Sequence, residues 1–220
     1  MKDVTCLRIA AAAAVVVLAL FAGGCQSVKY RALESVGIEK RDVLSSRVEA
    51  ARDAQDDARE EFSSALEQFR ATLDVDGGDL EKTYDRLNRA WQRSARQAEA
   101  VSDRVDAVEN VAEDLFDEWE DELDLYSDAD LRRRSERILD QTRQRYARML
   151  TAMQRAEASM DPVLSVFRDQ VLFLKHNLNS LAIASIRDEF ASIERETEAL
   201  IRAMDESIRE ADAFIATLES

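Results

Sequence analysis

From residue 40 onward, apolar and small side chains recur three and four positions apart in alternation. That spacing lines one stripe of a helix and marks a heptad seam. The first segment to carry it is 40–73, with Leu44, Val48, Ala51, Gln55, Ala58, Phe62, Ala65 and Phe69 on the seam. Asp74-Val75-Asp76-Gly77-Gly78-Asp79 interrupts it, and paired glycines suit a helix break. The second segment, 80–123, has Asp79 placed as its N-cap. Its seam reads Leu80, Tyr84, Leu87, Trp91, Ser94, Ala98, Val101, Val105, Val108, Ala112, Leu115 and Trp119. A helix of that length measures about 65 Å. Tyr126-Ser127-Asp128 ends the segment and caps the next.

The third segment starts near Asp130 and reads Leu131, Ser135, Ile138, Thr142, Tyr146, Met149, Met153, Ala156 and Met160. Pro162 then predicts a kink, or a fresh start with Asp161 as N-cap. The seam resumes at Val163, Phe167, Val171, Leu174 and Leu178. Val171-Leu172-Phe173-Leu174 is the most apolar stretch past the N-terminal region, which predicts cover on several sides. Asn177-Leu178-Asn179-Ser180 is a turn signal. The fourth segment reads Ile186, Phe190, Ile193, Thr197, Leu200, Met204, Ser207, Ala211, Phe214 and Leu218.

Short connections make consecutive helices antiparallel neighbours. The expectation is an all-α fold: an elongated antiparallel helical bundle, or coiled coil, of about four long helices. Narrow seams rich in Ala and Ser imply close helix approach. The heaviest layers are then Phe62, Phe69, Trp91, Trp119, Phe167 and the 171–174 cluster.

Composition agrees with long helices, since 220 residues hold only 5 Gly and 1 Pro. Net charge is −15, which disfavours grip on phosphate backbones and on anionic lipid by charge alone. Both cysteines, Cys6 and Cys25, lie in or beside the N-terminal apolar segment. Past Cys25 there is no thiol for a disulfide framework or a thiolate metal site.

That N-terminal segment opens with Lys2 and Arg8, diluted by Asp3. A 13-residue apolar run follows at 9–21, then Ala22, Gly23, Gly24 and Cys25. The run is short for a membrane span, which needs about 20 residues, and suits a signal h-region. The arrangement resembles the lipobox of bacterial lipoproteins, with Ala22 and Gly23 departing from its commonest residues. The resemblance implies a signal peptide over 1–24, lipidation of Cys25, a tether over 25–39 and one helical domain over 40–218. Gln26, where Asp would retain the chain in the inner membrane, favours the inner leaflet of the outer membrane, facing the periplasm.

Four strings carry a wider resemblance: GIEKRD (37–42), DGGDLEKTYDRLN (76–88), VAEDLFDEWEDELDLYS (111–127) and MDPVLSVFRDQVLFLKHNLN (160–179). With them the chain resembles a family of bacterial envelope lipoproteins labelled only as domain of unknown function two-nine-five-nine. The likeness implies an α-helical, coiled-coil-rich protein and carries no functional residues with it.

Candidate chemistry is sparse. The acidic run from Glu109 to Asp124 offers Glu113, Asp117 and Asp121 as weak metal ligands on one helix face, without an accompanying His. His176 is the single histidine, which excludes a multi-His metal site, and with Lys175 and Asn177 it suits a helix C-terminus. No G-x-S-x-G elbow and no G-x-x-x-x-G-K-[ST] loop occurs. Arg132-Arg133-Arg134 is placed to dock on the acidic end of the second segment. The polar seam positions Gln55, Ser94, Ser135 and Thr142 suit register setting.

The function these features predict is non-enzymatic and needs no cofactor: a lipid-anchored, periplasm-facing scaffold, spacer or adaptor of the cell envelope. It attaches to the membrane through its N-terminal lipid and has no nucleic-acid partner. A protein partner or self-association through the helices is compatible. The alternatives are a regulatory or sensor lipoprotein that binds another envelope protein, and, further off, a divalent-cation-binding bundle.

Overall fold

The computed structural model describes residues 40–74 and 79–218. The segment expected to be a signal peptide, Cys25, the expected tether and the Gly77-Gly78 pair lie outside the described residues. The chain divides after Val43. Of the unit before that point Lys40–Val43 are described, as the opening turn of the first helix. All that follows concerns the unit Leu44–Ser220.

The helices are α1 (Lys40–Arg70), α2 (Leu80–Leu123), α3 (Ala129–Ala158), α4 (Met160–His176) and α5 (Ser180–Leu218). Helix makes up 92% of the described chain and strands are absent from it, as expected for an all-α fold. Only Ser159 separates α3 from α4, so the two form one interrupted leg and the bundle has four legs.

Interhelical contacts fix the order of the legs. α1 and α5 are joined by Arg52–Asp212 (2.9 Å), Arg59–Asp205 (3.1 Å) and Arg70–Glu194 (2.5 Å). Each step forward along α1 is matched by a step back along α5, so the pair is antiparallel in constant register. Arg93 of α2 reaches Glu61 of α1 at 3.0 Å. Gln154 of α3 donates to Glu109 of α2 at 2.6 Å. The ring of Tyr146 on α3 meets Phe214 on α5 with centroids 6.0 Å apart. Across the core, Phe167 of α4 stacks on Phe69 of α1 at 4.6 Å and tilts against Phe62 at 6.3 Å. The result is an up-down-up-down bundle with neighbours antiparallel and α1 parallel to α3 and α4 on the diagonal.

The α1 seam is buried at every predicted position, Gln55 included. The α5 seam is buried except at Phe190, which is half-buried and lies under the Arg70 guanidinium at 5.8 Å. In α2 the buried line differs from expectation. Thr83 and Ala90 occupy the centre in place of Tyr84 and Trp91, which are half-buried on the flank. Small side chains at the centre let helices approach closely, and the bulky rings pack beside the contact. Farther on, Phe116 and Leu123 are buried in place of Leu115 and Trp119. In α3 Leu139 takes the place of Ile138, which is exposed, as is Leu131. Val171 and Leu174 are buried, but Leu172 and Phe173 are exposed, so the 171–174 stretch is covered on one side only.

Helix ends follow local chemistry. Asp128 caps α3 by accepting from the amides of Asp130 (2.7 Å) and Leu131 (3.1 Å). Asp79 occupies the N-cap of α2 without a side-chain cap bond and pairs instead with Lys82 at 3.0 Å. The third leg breaks at Ser159, not at Asp161, and Pro162 falls in the first turn of α4, where its missing N–H costs nothing.

Candidate functional site

The break between α3 and α4 opens a groove of about 520 Å³ against α2. Small side chains at Ala95, Ala98 and Ala158 leave the space, and Glu99, Asp103, Glu157 and Asp161 line its walls. Ser102 donates to Glu157 at 2.6 Å and ties the two sides together. The sequence reading sought acidic chemistry at 109–124 and missed this groove. Its carboxylates come from three helices, α2, α3 and α4, brought together by packing, and no linear spacing announces them.

The weak metal candidates Glu113, Asp117 and Asp121 stand on successive turns of the exposed face of α2. Among the described residues, no three or more His, Cys, Asp or Glu side chains gather where a cation would sit. His176 closes α4, but Asn177 makes the cap, donating through Nδ2 to the Phe173 carbonyl at 3.0 Å. Arg132 docks on Asp124, the C-cap of α2, at 2.7 Å, as expected, while Arg133 pairs within α3 with Asp130. The register residues divide by depth. Gln55 and Ser94 are buried, with Gln55 directed at the Met153 carbonyl at 3.5 Å, a long contact. Ser135 and Thr142 are half-buried, and Ser135 accepts from Trp119 Nε1 at 2.8 Å.

The charge of α2 and α3 is used structurally in several places. Arg143 bonds Glu120 and lies over the Phe116 ring at 5.3 Å. The guanidinium holds the Glu120 carboxyl below its ordinary value, and the carboxylate raises Arg143 in turn. Burial pushes the Tyr146 phenol up, helped by the charges of Glu109 and Glu113.

Among the described residues, exposed large apolar side chains fall into two groups. One surrounds the α4–α5 turn: Leu172, Phe173, Leu178 and Leu181, the last 69% exposed. The other surrounds the α2–α3 turn: Leu125 (80% exposed), Tyr126, Leu131 and Ile138. Sequence periodicity had placed Leu131, Ile138 and Leu178 on the seam. It finds apolar positions but not which of them the bundle leaves uncovered.

No curated protein and no solved structure matches the chain. The family model described as "Protein of unknown function (DUF2959)" matches residues 29–218, which takes in every helix of the bundle. The chain belongs to this family.

Proposed function

We propose that this protein is a lipid-anchored helical scaffold, spacer or adaptor of the bacterial cell envelope, held by Cys25 and facing the periplasm. The observation that carries the reading is the order of features at the N-terminus: basic residues, the 13-residue apolar run, small residues and then Cys25. Two further features support it. Charged side chains join the helices in many places: Arg52, Arg59, Arg70 and Arg93 to other legs, Arg132 and Arg143 within the α2–α3 hairpin. The predicted seam of α1 fills the core at every position, with Ala51, Ala58 and Ala65 among its small side chains.

The test is Cys25→Ala in the full chain, followed by membrane fractionation and metabolic labelling with a fatty-acid analogue. Loss of label and release from the outer membrane are expected. A variant that still sediments with that membrane would transfer the anchoring role to the helical body.

A second reading, a regulatory lipoprotein that binds another envelope protein, draws on the exposed Leu172, Phe173, Leu178 and Leu181. Under it, a photo-crosslinker at position 173 captures one specific envelope protein, and Phe173→Ser with Leu181→Ser abolishes the capture. No discrete product from position 173 would remove this reading and leave the anchor untouched.

A further inference from the structure

The two halves of α1 are held by unequal packing. Its far half buries Phe62, Leu66 and Phe69, with Phe167 of α4 wedged against both rings. Glu61, at the start of that half, also takes the bond from Arg93 of α2 at 3.0 Å. The entry half buries Leu44, Val48, Ala51, Gln55 and Ala58. Past Val48, then, α1 buries no large apolar side chain before Phe62. Stabilisation by burial scales with the apolar area removed from water, and Ala and Gln offer little of it.

α5 repeats the deficit at the same level. Arg52–Asp212 and Arg59–Asp205 set residues 52–59 against 205–212. Gln55 and Ser207 therefore lie within about 3 Å of each other along the axis. Buried Ala51 and Ala211 lie a turn to one side, and buried Ala58 and Met204 a turn to the other. Gln55 Oε1 and Ser207 Oγ are buried with no hydrogen-bond partner among the described residues. Gln55 Nε2 reaches the Met153 carbonyl only at 3.5 Å. A buried polar atom without a partner has lost its water and gained no bond, so opening this layer relieves it. The two ion pairs that clamp the layer are partly exposed, and pairs of that kind hold weakly and less so in salt. α5 has a second hold at this level, because Phe214 meets Tyr146 of α3 and Glu206 lies 3.7 Å from Arg155.

We propose that the entry half of α1, Leu44–Ala58, is a strap that lifts from the bundle as a unit while Phe62–Phe69 stays seated and α5 stays on α3. Lifting hydrates Gln55 and Ser207 and separates Arg52 from Asp212 and Arg59 from Asp205. The hinge falls between Ala58 and Phe62, where the aromatic wedge at Phe167 stops the opening from running on. The strap is a device of the helical unit and is independent of how the chain is anchored.

The test is native-state hydrogen exchange of the full-length chain in detergent, read by mass spectrometry. Amides of 48–58 are expected to exchange at least about tenfold faster than those of 62–69, while 204–214 of α5 keep the slower rate. Gln55→Leu with Ser207→Ala makes the layer apolar at similar volume, and should slow 48–58 to within about threefold of 62–69. Arg52→Ala removes one clamp without touching the core and should speed 48–58 alone. Added salt should do the same. Simple fraying gives rates graded from Leu44 and ignores the double substitution. That profile, equal rates in the two halves of α1, or loss of α5 protection together with the strap would each overturn the proposal.

Discussion

Phe167 is the ring on which the diagonal of the core closes, wedged between Phe62 and Phe69 and fully buried with them. Phe167→Ala deletes that wedge from a layer with no spare side chain, and a loss of about 3–5 kcal/mol is expected in urea unfolding. Trp91, also expected to anchor the core, is half-buried, so its truncation should cost less than that of Phe167. The Glu120–Arg143 pair makes a pH prediction. Because Glu120 titrates below its ordinary 4.5 when folded, the pair's stabilisation is present above that value. It is lost as pH falls through the lower folded value. Arg143→Ala should therefore move the Glu120 titration, followed by carboxyl NMR, upward toward 4.5. An unmoved titration would mean the guanidinium is not what holds it down.

A helix is read from sequence as well as its surroundings are uniform. α1 has other legs along the length of its seam, and each seam position found by spacing is buried, from Leu44 to Phe69. α2 does not keep one heptad seam. Its buried line runs through Leu87, Ser94 and Val101 and then shifts by one position to Phe116 and Leu123, where the Phe116 ring meets Tyr146 of α3 edge-on at 5.3 Å. Heptad counting assumes a constant neighbour and so continued to Leu115 and Trp119. α3 shows the same one-position shift, with Leu139 buried and Ile138 exposed. The acidic groove at Ser159 was illegible because its walls are distant in sequence. At this scale the N-cap of α3 is the point to test. Asp128→Ala removes acceptors from two amides and should cost about 1 kcal/mol. Hydrogen exchange should show the loss as faster exchange at Asp130 and Leu131, with α5 unchanged.

For the whole molecule, the family match over 29–218 and the helical bundle agree in extent, and the polar chemistry is spread along leg contacts rather than gathered at one point. The constant register between α1 and α5 carries a consequence in time. The first and last legs are partners, joined by residues 124 to 160 positions apart. A chain emerging from its N-terminus therefore holds α1 exposed along one side until its final residues arrive. α2, α3 and α4 can zip as successive local hairpins, but closure waits for α5, a contact of high sequence separation and correspondingly late. A chain ending at residue 203 lacks the pairings of Asp205 and Asp212. Pulse-labelled exchange during its refolding should leave the α1 amides near Arg52 and Arg59 unprotected, where the intact chain protects them together with α5. Early protection of those amides in the shortened chain would show that α1 closes on its other neighbours first. Until the last leg is released, the unpaired seam of α1 is the surface on which a nascent chain is most open to misassembly or to a holding chaperone.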